Sequence, residues 1–170
     1  MRNQKGFSLI ELLIVVAIIL IIAAIAIPNL MRARIAANES AGASTVRTLN
    51  TAEATYSTTY AADGYASSLT LLGPGAVDCT VPANVTSSNA CLIDGVLGTA
   101  PFTKGAFVYN ISSSTAVPPV PDYLITAIST TKTAATHDYC ANTDAVVRTQ
   151  VTTGSGIASA TACSALPAIQ

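Results

Sequence analysis

The sequence predicts an α+β protein. One long N-terminal helix spans a membrane with its first half and packs with its second half on an antiparallel sheet of three to four strands. Three observations predict this. Residues 7–27 form a run of 21 residues in which only Ser8 and Glu11 are polar. The run passes into Ala-rich sequence that carries an apolar stripe at helical spacing as far as Tyr60. After Lys104, three β-branched or alternating runs are separated by loops rich in Ser, Thr and Pro.

The apolar run comes first. As a helix it reaches about 31 Å, enough to cross a typical hydrocarbon core. Its Ile and Val residues do not argue against helix, because in lipid the backbone must satisfy its own hydrogen bonds. Arg2 and Lys5 precede the run and Arg32 and Arg34 follow it, so the charge rule gives no clear orientation. Pro28 ends the run without ending the helix, and a kink or local loosening is expected there because Pro lacks a backbone donor and crowds the preceding turn. Residues 28–60 continue as an amphipathic helix. Val46, Leu49, Tyr56 and Tyr60, with Ala52 nearby, make one apolar face on a Ser- and Thr-rich surface. Ala61-Ala62-Asp63-Gly64-Tyr65 supplies the stop.

Residues 61–170 form the head. Residues 66–103, with Gly73-Pro74-Gly75, Pro82 and Pro101, read as loop. Strands are expected at Ala106–Ile111, Tyr123–Ile128 and Ala145–Val151. Residues 112–121 and 129–144 are read as loops, and Thr152–Gln170 as an irregular tail.

Composition bounds the function. The chain has 170 residues, 51% hydrophobic and 10% charged. An ordinary soluble domain carries about 25% charged residues, so an enzyme of that kind is a poor fit. The formal net charge is −1, which gives no bulk attraction to nucleic acid. The single histidine and scattered carboxylates offer no triad, metal-activated water or phosphate loop. No catalytic residue, cofactor or metal site is therefore expected. Asp138, Asn142 and Asp144 lack the spacing of a calcium loop and are read as a solvated loop, with His137 exposed beside them. The three N-x-[ST] matches, at Asn38, Asn84 and Asn110, are no more than such a composition produces by chance.

Cys79, Cys91, Cys140 and Cys163 all follow the apolar segment. An even number in an exported domain reads as two disulfides. Four cysteines allow three connectivities. Cys79–Cys91 and Cys140–Cys163 are favoured because each closes a short local loop. No C-x2-C spacing supports zinc instead. The cysteines need an oxidising space on the C-terminal side, which places the N-terminus in the cytoplasm.

The most specific feature is Lys5-Gly6-Phe7-Ser8-Leu9-Ile10-Glu11. It sets a carboxylate inside a bilayer-spanning segment, where a charge at the centre costs about 2.5–3.5 kcal/mol and an ionisable group marks a functional site by default. A basic leader, Gly, Phe, then Glu four residues after Phe resembles the class III signal of type IV pilins and their pseudopilin relatives. The resemblance is strong over residues 1–60 and weaker beyond. It implies cleavage of a leader, residues 1–6, after Gly6, and N-methylation of Phe7 by a prepilin peptidase/N-methyltransferase. It implies that Glu11 pairs with the Phe7 amine of a neighbouring subunit during assembly. The partners implied are further copies of the same chain, the inner-membrane assembly machinery, and lipid before assembly. The implied route runs from the bacterial inner membrane, single pass, to an extracellular pilus.

Two alternatives stand beside it. A pseudopilin of a type II secretion system shares the signal, although such proteins tend to be shorter, calcium-binding and cysteine-free. Ala24-Ile25-Ala26 could instead serve an ordinary secretory signal, releasing a binding domain that starts at Ile27. A Glu inside the apolar core and a run longer than about 7–15 residues argue against that.

Overall fold

The computed structural model describes residues 8–152 and 156–169. Helix α1 runs from Leu9 to Thr59, 51 residues, and passes through Pro28 without interruption. At about 1.5 Å per residue it is roughly 77 Å long. Its first half stands free of the head. Its buried residues begin at Gly42 and continue through Ala43, Val46, Leu49, Asn50, Ala52, Glu53 and Tyr56. The predicted stripe is therefore the docking face, with Tyr60 half-buried at its end. On the opposite face the threonines satisfy themselves. The hydroxyls of Thr45, Thr48, Thr51, Thr55 and Thr58 each donate to the carbonyl four residues back. Each hydroxyl is thus satisfied within the helix itself.

Past the helix, Gly64 takes a left-handed φ of +79° and bridges to Val120. A Cβ there would strike the Val120 backbone, so only glycine fits this turn. A short helix α2, Leu69–Leu72, then buries Leu69 and Leu72 against the core. The region expected to be all loop thus contains one helical turn and a 3-10 turn at Pro82–Asn84.

The sheet has five strands rather than three or four. They are β1 (Thr103–Lys104), β2 (Phe107–Ser112), β3 (Leu124–Ser129), β4 (His137–Asn142) and β5 (Arg148–Val151), in the order β1-β2-β3-β4-β5. Every pairing is antiparallel. One cross-strand row reads Tyr109, Ala127, Tyr139, Thr149. Strand β2 alternates, with Phe107, Tyr109 and Ile111 buried and Val108, Asn110 and Ser112 exposed. Strands β3 and β4 are buried on both faces. One face meets α1 and the main core. The other meets a second cluster of Leu124, Cys140, Ile157 and Cys163, completed by a short helix α3, Ala160–Ser164. The tail expected to be irregular is thus the outer cover of the sheet.

Two differences from the sequence expectation have clear physical reasons. Strand β4 lies in the segment read as a loop, because His137-Asp138-Tyr139-Cys140-Ala141-Asn142 is polar in composition. Asp138 is buried and accepts hydrogen bonds from the Ser129 amide and the Thr152 hydroxyl, so local partners support a polar residue in the core. The strand expected from Ala145 begins only at Arg148. Ala145 has φ +57° and closes a turn in which its amide donates to the Asn142 carbonyl and the Val146 amide donates to Asp144.

The helix is held to the head by packing and by long-range polar ties. Gly42 lies under the Phe107 ring. A Cβ built on Gly42 would come within 2.5 Å of Phe107 Cε2 and 2.9 Å of Cζ. Where the free half of α1 meets the head, Asn38 donates to the Ala134 carbonyl at 2.7 Å. Next to it, the Glu39 carboxylate accepts from the Thr136 amide at 3.0 Å, from the Thr136 hydroxyl, and contacts His137 Nδ1 at 2.9 Å. Further along, Asn50 donates to the Ala145 carbonyl and accepts from the Tyr123 hydroxyl, and the Tyr56 hydroxyl donates to the Ser87 carbonyl.

Two predictions follow from this docking. Gly42→Ala forces the Phe107 ring aside and is expected to destabilise the head by about 1–3 kcal/mol, the usual cost of overpacking, measured by denaturant unfolding. The second concerns Glu39. Burial draws its carboxyl up, but the hydrogen bonds from Thr136 and His137 outweigh that and hold it below its ordinary value of 4.5. A depressed carboxyl contributes stability that is full above the ordinary value and is lost as pH falls through the folded one. Glu39→Gln is expected to cost about 1–2 kcal/mol at neutral pH. Its stability is also expected to fall less steeply than that of the wild type as the pH is lowered from about 5 to 3. Parallel acid unfolding curves would contradict the role given to Glu39.

Candidate functional site

The site is one end of α1. Ser8 precedes the helix in extended conformation, and Glu11 lies in the first turn. A carboxylate there faces unsatisfied amides and the positive end of the helix dipole. Gly6 and Phe7 lie outside the described residues. From Leu9 to Met31 every large apolar side chain is exposed, none by less than 46% of its surface. Glu11 is exposed among them. An isolated chain in water would not leave such a patch uncovered. The length and composition of α1 suit a membrane crossing. The N-terminal half therefore requires an apolar surround, either lipid or other helices, and Glu11 is the only ionisable group between Ser8 and Met31.

Pro28 lies inside α1, one residue past the apolar run, with Arg32 and Arg34 following. Its ring removes the amide that would otherwise donate to the Ala24 carbonyl. The first residue of the chain that is buried in the head is fourteen positions further on, at Gly42.

The cysteines lie far from this end. Cys79 is bonded to Cys91 and Cys140 to Cys163, and no cysteine is free. The first bridge holds the surface segment that follows α2. The second joins β4 to α3 and is fully buried, fixing the C-terminal cover against the sheet.

The remaining residues singled out in the sequence do not assemble into a site. Asp138 is in the core of β4, Asn142 at its end bonds Ser164, and Asp144 pairs with Arg148 at 2.6 Å. They sit in strand, strand end and turn, not around a common point. Among the described residues no cluster of three or more His, Cys, Asp and Glu side chains could hold a metal. His137 is not free in solvent. It stands beside Glu39 of α1.

Sequence reading missed one group altogether. Glu53 is fully buried. One oxygen accepts the Ala66 amide at 2.9 Å, and the other has no partner. Burial pushes its carboxyl up to about 8, although the Ala66 amide pulls the other way. A signal was available: Glu53 is seven residues after Val46 and four after Leu49, so the helical repeat puts it on the buried stripe.

Comparison with known proteins bears on the N-terminal end alone. Residues 1–27 match the family described as the prokaryotic N-terminal methylation motif. Over 40 residues the chain is 68% identical to the type IV wide pilus major component PilA4 of Thermus thermophilus, a match covering 24% of this chain and 30% of that protein. The matched stretch is thus less than a third of the relative's length. No solved structure matches the chain. The N-terminal end of the chain thus carries the methylation motif and is similar to a type IV pilus component, and it opens a long apolar helix docked at its far half on an antiparallel sheet.

Proposed function

We propose that the chain is a structural subunit of an extracellular type IV pilus, assembled through α1. One observation carries this reading. The same helix is uncovered and apolar from Leu9 to Met31 and buried in its own head from Gly42 onward. Such a subunit is stored in a bilayer by its free half and polymerises when free halves bundle with one another. The contact is heterologous and does not close, which generates a filament.

Residues 1–6 are the leader, removed after Gly6. Removal takes away Arg2 and Lys5, moving the net charge from −1 to −3, and creates an amine at Phe7, which is then methylated. Residues 7–27 form the filament core, 28–60 the continuation that joins it to the head, and 61–170 the outer surface. Before assembly the N-terminus lies in the cytoplasm and the disulfide-bonded head in the oxidising space outside the inner membrane. Pro28 loosens the helix between core and head, letting neighbouring heads adjust without disturbing the bundle. The bundle buries a Phe7 ammonium and a Glu11 carboxylate, each costly alone in apolar surroundings. Paired between neighbours they offset one another, and breaking a buried pair costs about 3–5 kcal/mol. The pair sets axial register, while the apolar run supplies the association energy.

The first test is the mature terminus. Mass spectrometry of filaments sheared from cells is expected to find a chain starting at N-methylated Phe7, and a bulky replacement of Gly6 is expected to leave uncut precursor. A chain starting at Ile27 would reject the proposal.

The second test is Glu11→Gln, which keeps the shape and removes the charge. Membrane insertion and leader removal are expected to persist, while surface filaments fall sharply. The loss should be milder in filaments mixed with wild-type subunits, where some Phe7 amines still meet a carboxylate. Filament yield equal to wild type would reject the pairing and leave the family assignment standing.

A further inference from the structure

We infer that Glu53 is carried as a neutral carboxylic acid in the folded protein, and that its ionisation acts as an alkaline release for the packing of α1 on the head. The inference stands on the fold of the head and does not depend on the filament.

The geometry is specific. Glu53 is fully buried at the centre of the docking stripe, between Asn50 and Tyr56. It reaches the Ala66 amide, which belongs to the segment entering α2. Its second oxygen meets no donor, and no Lys, Arg or His pairs with it among the described residues. A carboxylate in that position would be a buried, uncompensated charge, the arrangement proteins avoid by neutralising the group.

The groups around it add no positive charge. Tyr56 faces it from α1 and Tyr123 from the start of β3, and both phenols are pushed up by burial and by the proximity of Glu53. Asp63, in the turn after α1, acts on the same phenol. Tyr65, packed edge-on against Tyr123 at 4.9 Å, and Asp144 lie around that second phenol. Asp144 is itself engaged by Arg148. These neighbours are acids or phenols, the phenols neutral where Glu53 ionises, so none supplies a compensating positive charge.

The direction follows from the proton balance. The folded state holds this proton up to about pH 8, whereas the ordinary value is 4.5. Between these values the folded chain binds a proton that the unfolded chain has released. The resulting stability is full below the ordinary value and is lost as pH rises toward the folded one. Above it, the charge is relieved only by water reaching Glu53, which requires Ala66 and α2 to part from α1. This is a device opposite in sign to Glu39, whose contribution is lost in acid.

The test uses the full chain in nonionic detergent, unfolded by urea at a series of pH values, with wild type compared against Glu53→Gln. The amide keeps the volume and the acceptor for Ala66 and cannot ionise. One linked proton changes the folding equilibrium about tenfold per pH unit. From about pH 5.5 to 7.5 the wild type is expected to lose about a hundredfold more than the variant in its folded-to-unfolded ratio. Curves that run parallel would overturn the inference. If Glu53→Gln does not fold, the carboxyl is read directly. The chain has three glutamates, Glu11, Glu39 and Glu53, and carbon-13 titration in a Glu11→Gln background leaves two. One resonance titrating near pH 8 supports the inference. Both titrating at or below about pH 5 would overturn it.

Discussion

The structure depends on one contact: the Gly42–Tyr56 face of α1 lying on the floor of the sheet. That floor sets small residues beside large ones, Ala127 opposite Tyr139 and Ala141 opposite Ile125. Ala127 and Ala141 sit at the centre of β3 and β4 with no exposed surface, and Gly42, Ala43 and Ala52 supply matching small positions on the helix. The larger groups pack around these small positions. Phe107 reaches Tyr139 at 5.6 Å and sits under Gly42, while Leu49, Val46 and Tyr56 fill the space toward α2. Small residues opposite large ones are how an interface reaches interior density without strain. The head has no other way to bury the inner face of its sheet, so head and second half of α1 form one folding unit.

The outer face of the sheet needs a separate solution. A helix there would have required another amphipathic segment, and the sequence after β5 has only short Ala- and Ser-rich stretches. The chain covers β3 and β4 instead with Ile157, the brief α3 and the buried Cys140–Cys163 bridge. The covalent link makes sense of so little apolar material. A cross-link restricts the unfolded chain and contributes about 2–4 kcal/mol, where a cover of a few small side chains contributes little by burial.

What the sequence disclosed follows the same division. Elements whose burial is one-sided were readable: the stripe of α1, and β2 with its strict alternation of Phe107, Tyr109 and Ile111 against exposed neighbours. Strand β3 was readable from its β-branched, mostly apolar run from Tyr123 to Ile128, which only Thr126 interrupts. Strand β4 was not, because its buried positions include Asp138 and Asn142, whose partners come from β3, the segment after β5 and α3. Pattern reading assumes that buried means apolar, and here distant hydrogen bonds replace that rule. The start of β5 failed for a local reason, the left-handed turn at Ala145. The N-terminal motif could be recognised because its chemistry lies in consecutive residues, Lys5 to Glu11, and needs no tertiary contact to be seen. Glu39 and Glu53 needed one, since each acquires its character from residues 97 and 13 positions away.

The three glutamates show how one side chain serves three physical roles along a single helix. Glu11 lies in the free half, exposed in the first turn of the helix, with no cation of its own segment beside it. Glu39 lies at the junction and finds its partners in the β3–β4 connection, so it fastens the helix where leverage on the head is greatest. Glu53 lies in the docked half and finds one amide and no cation, so it survives only by keeping its proton. Moving along α1 from free end to core, the carboxyl passes from an exposed group, through a hydrogen-bonded anion, to the inferred neutral acid. Water is withdrawn in that order within the folded subunit, but hydrogen bonds from Thr136 and His137 favour the anion at Glu39, whereas Glu53 has one amide and no cation. On the proposed filament reading the first position becomes dry as well, and the chain has no cation of its own between Ser8 and Met31 to pair with Glu11. On that reading, bundling is favoured in a register that brings a neighbour's positive charge to that position, so a single carboxylate would select one helical arrangement from the many that a smooth apolar helix permits.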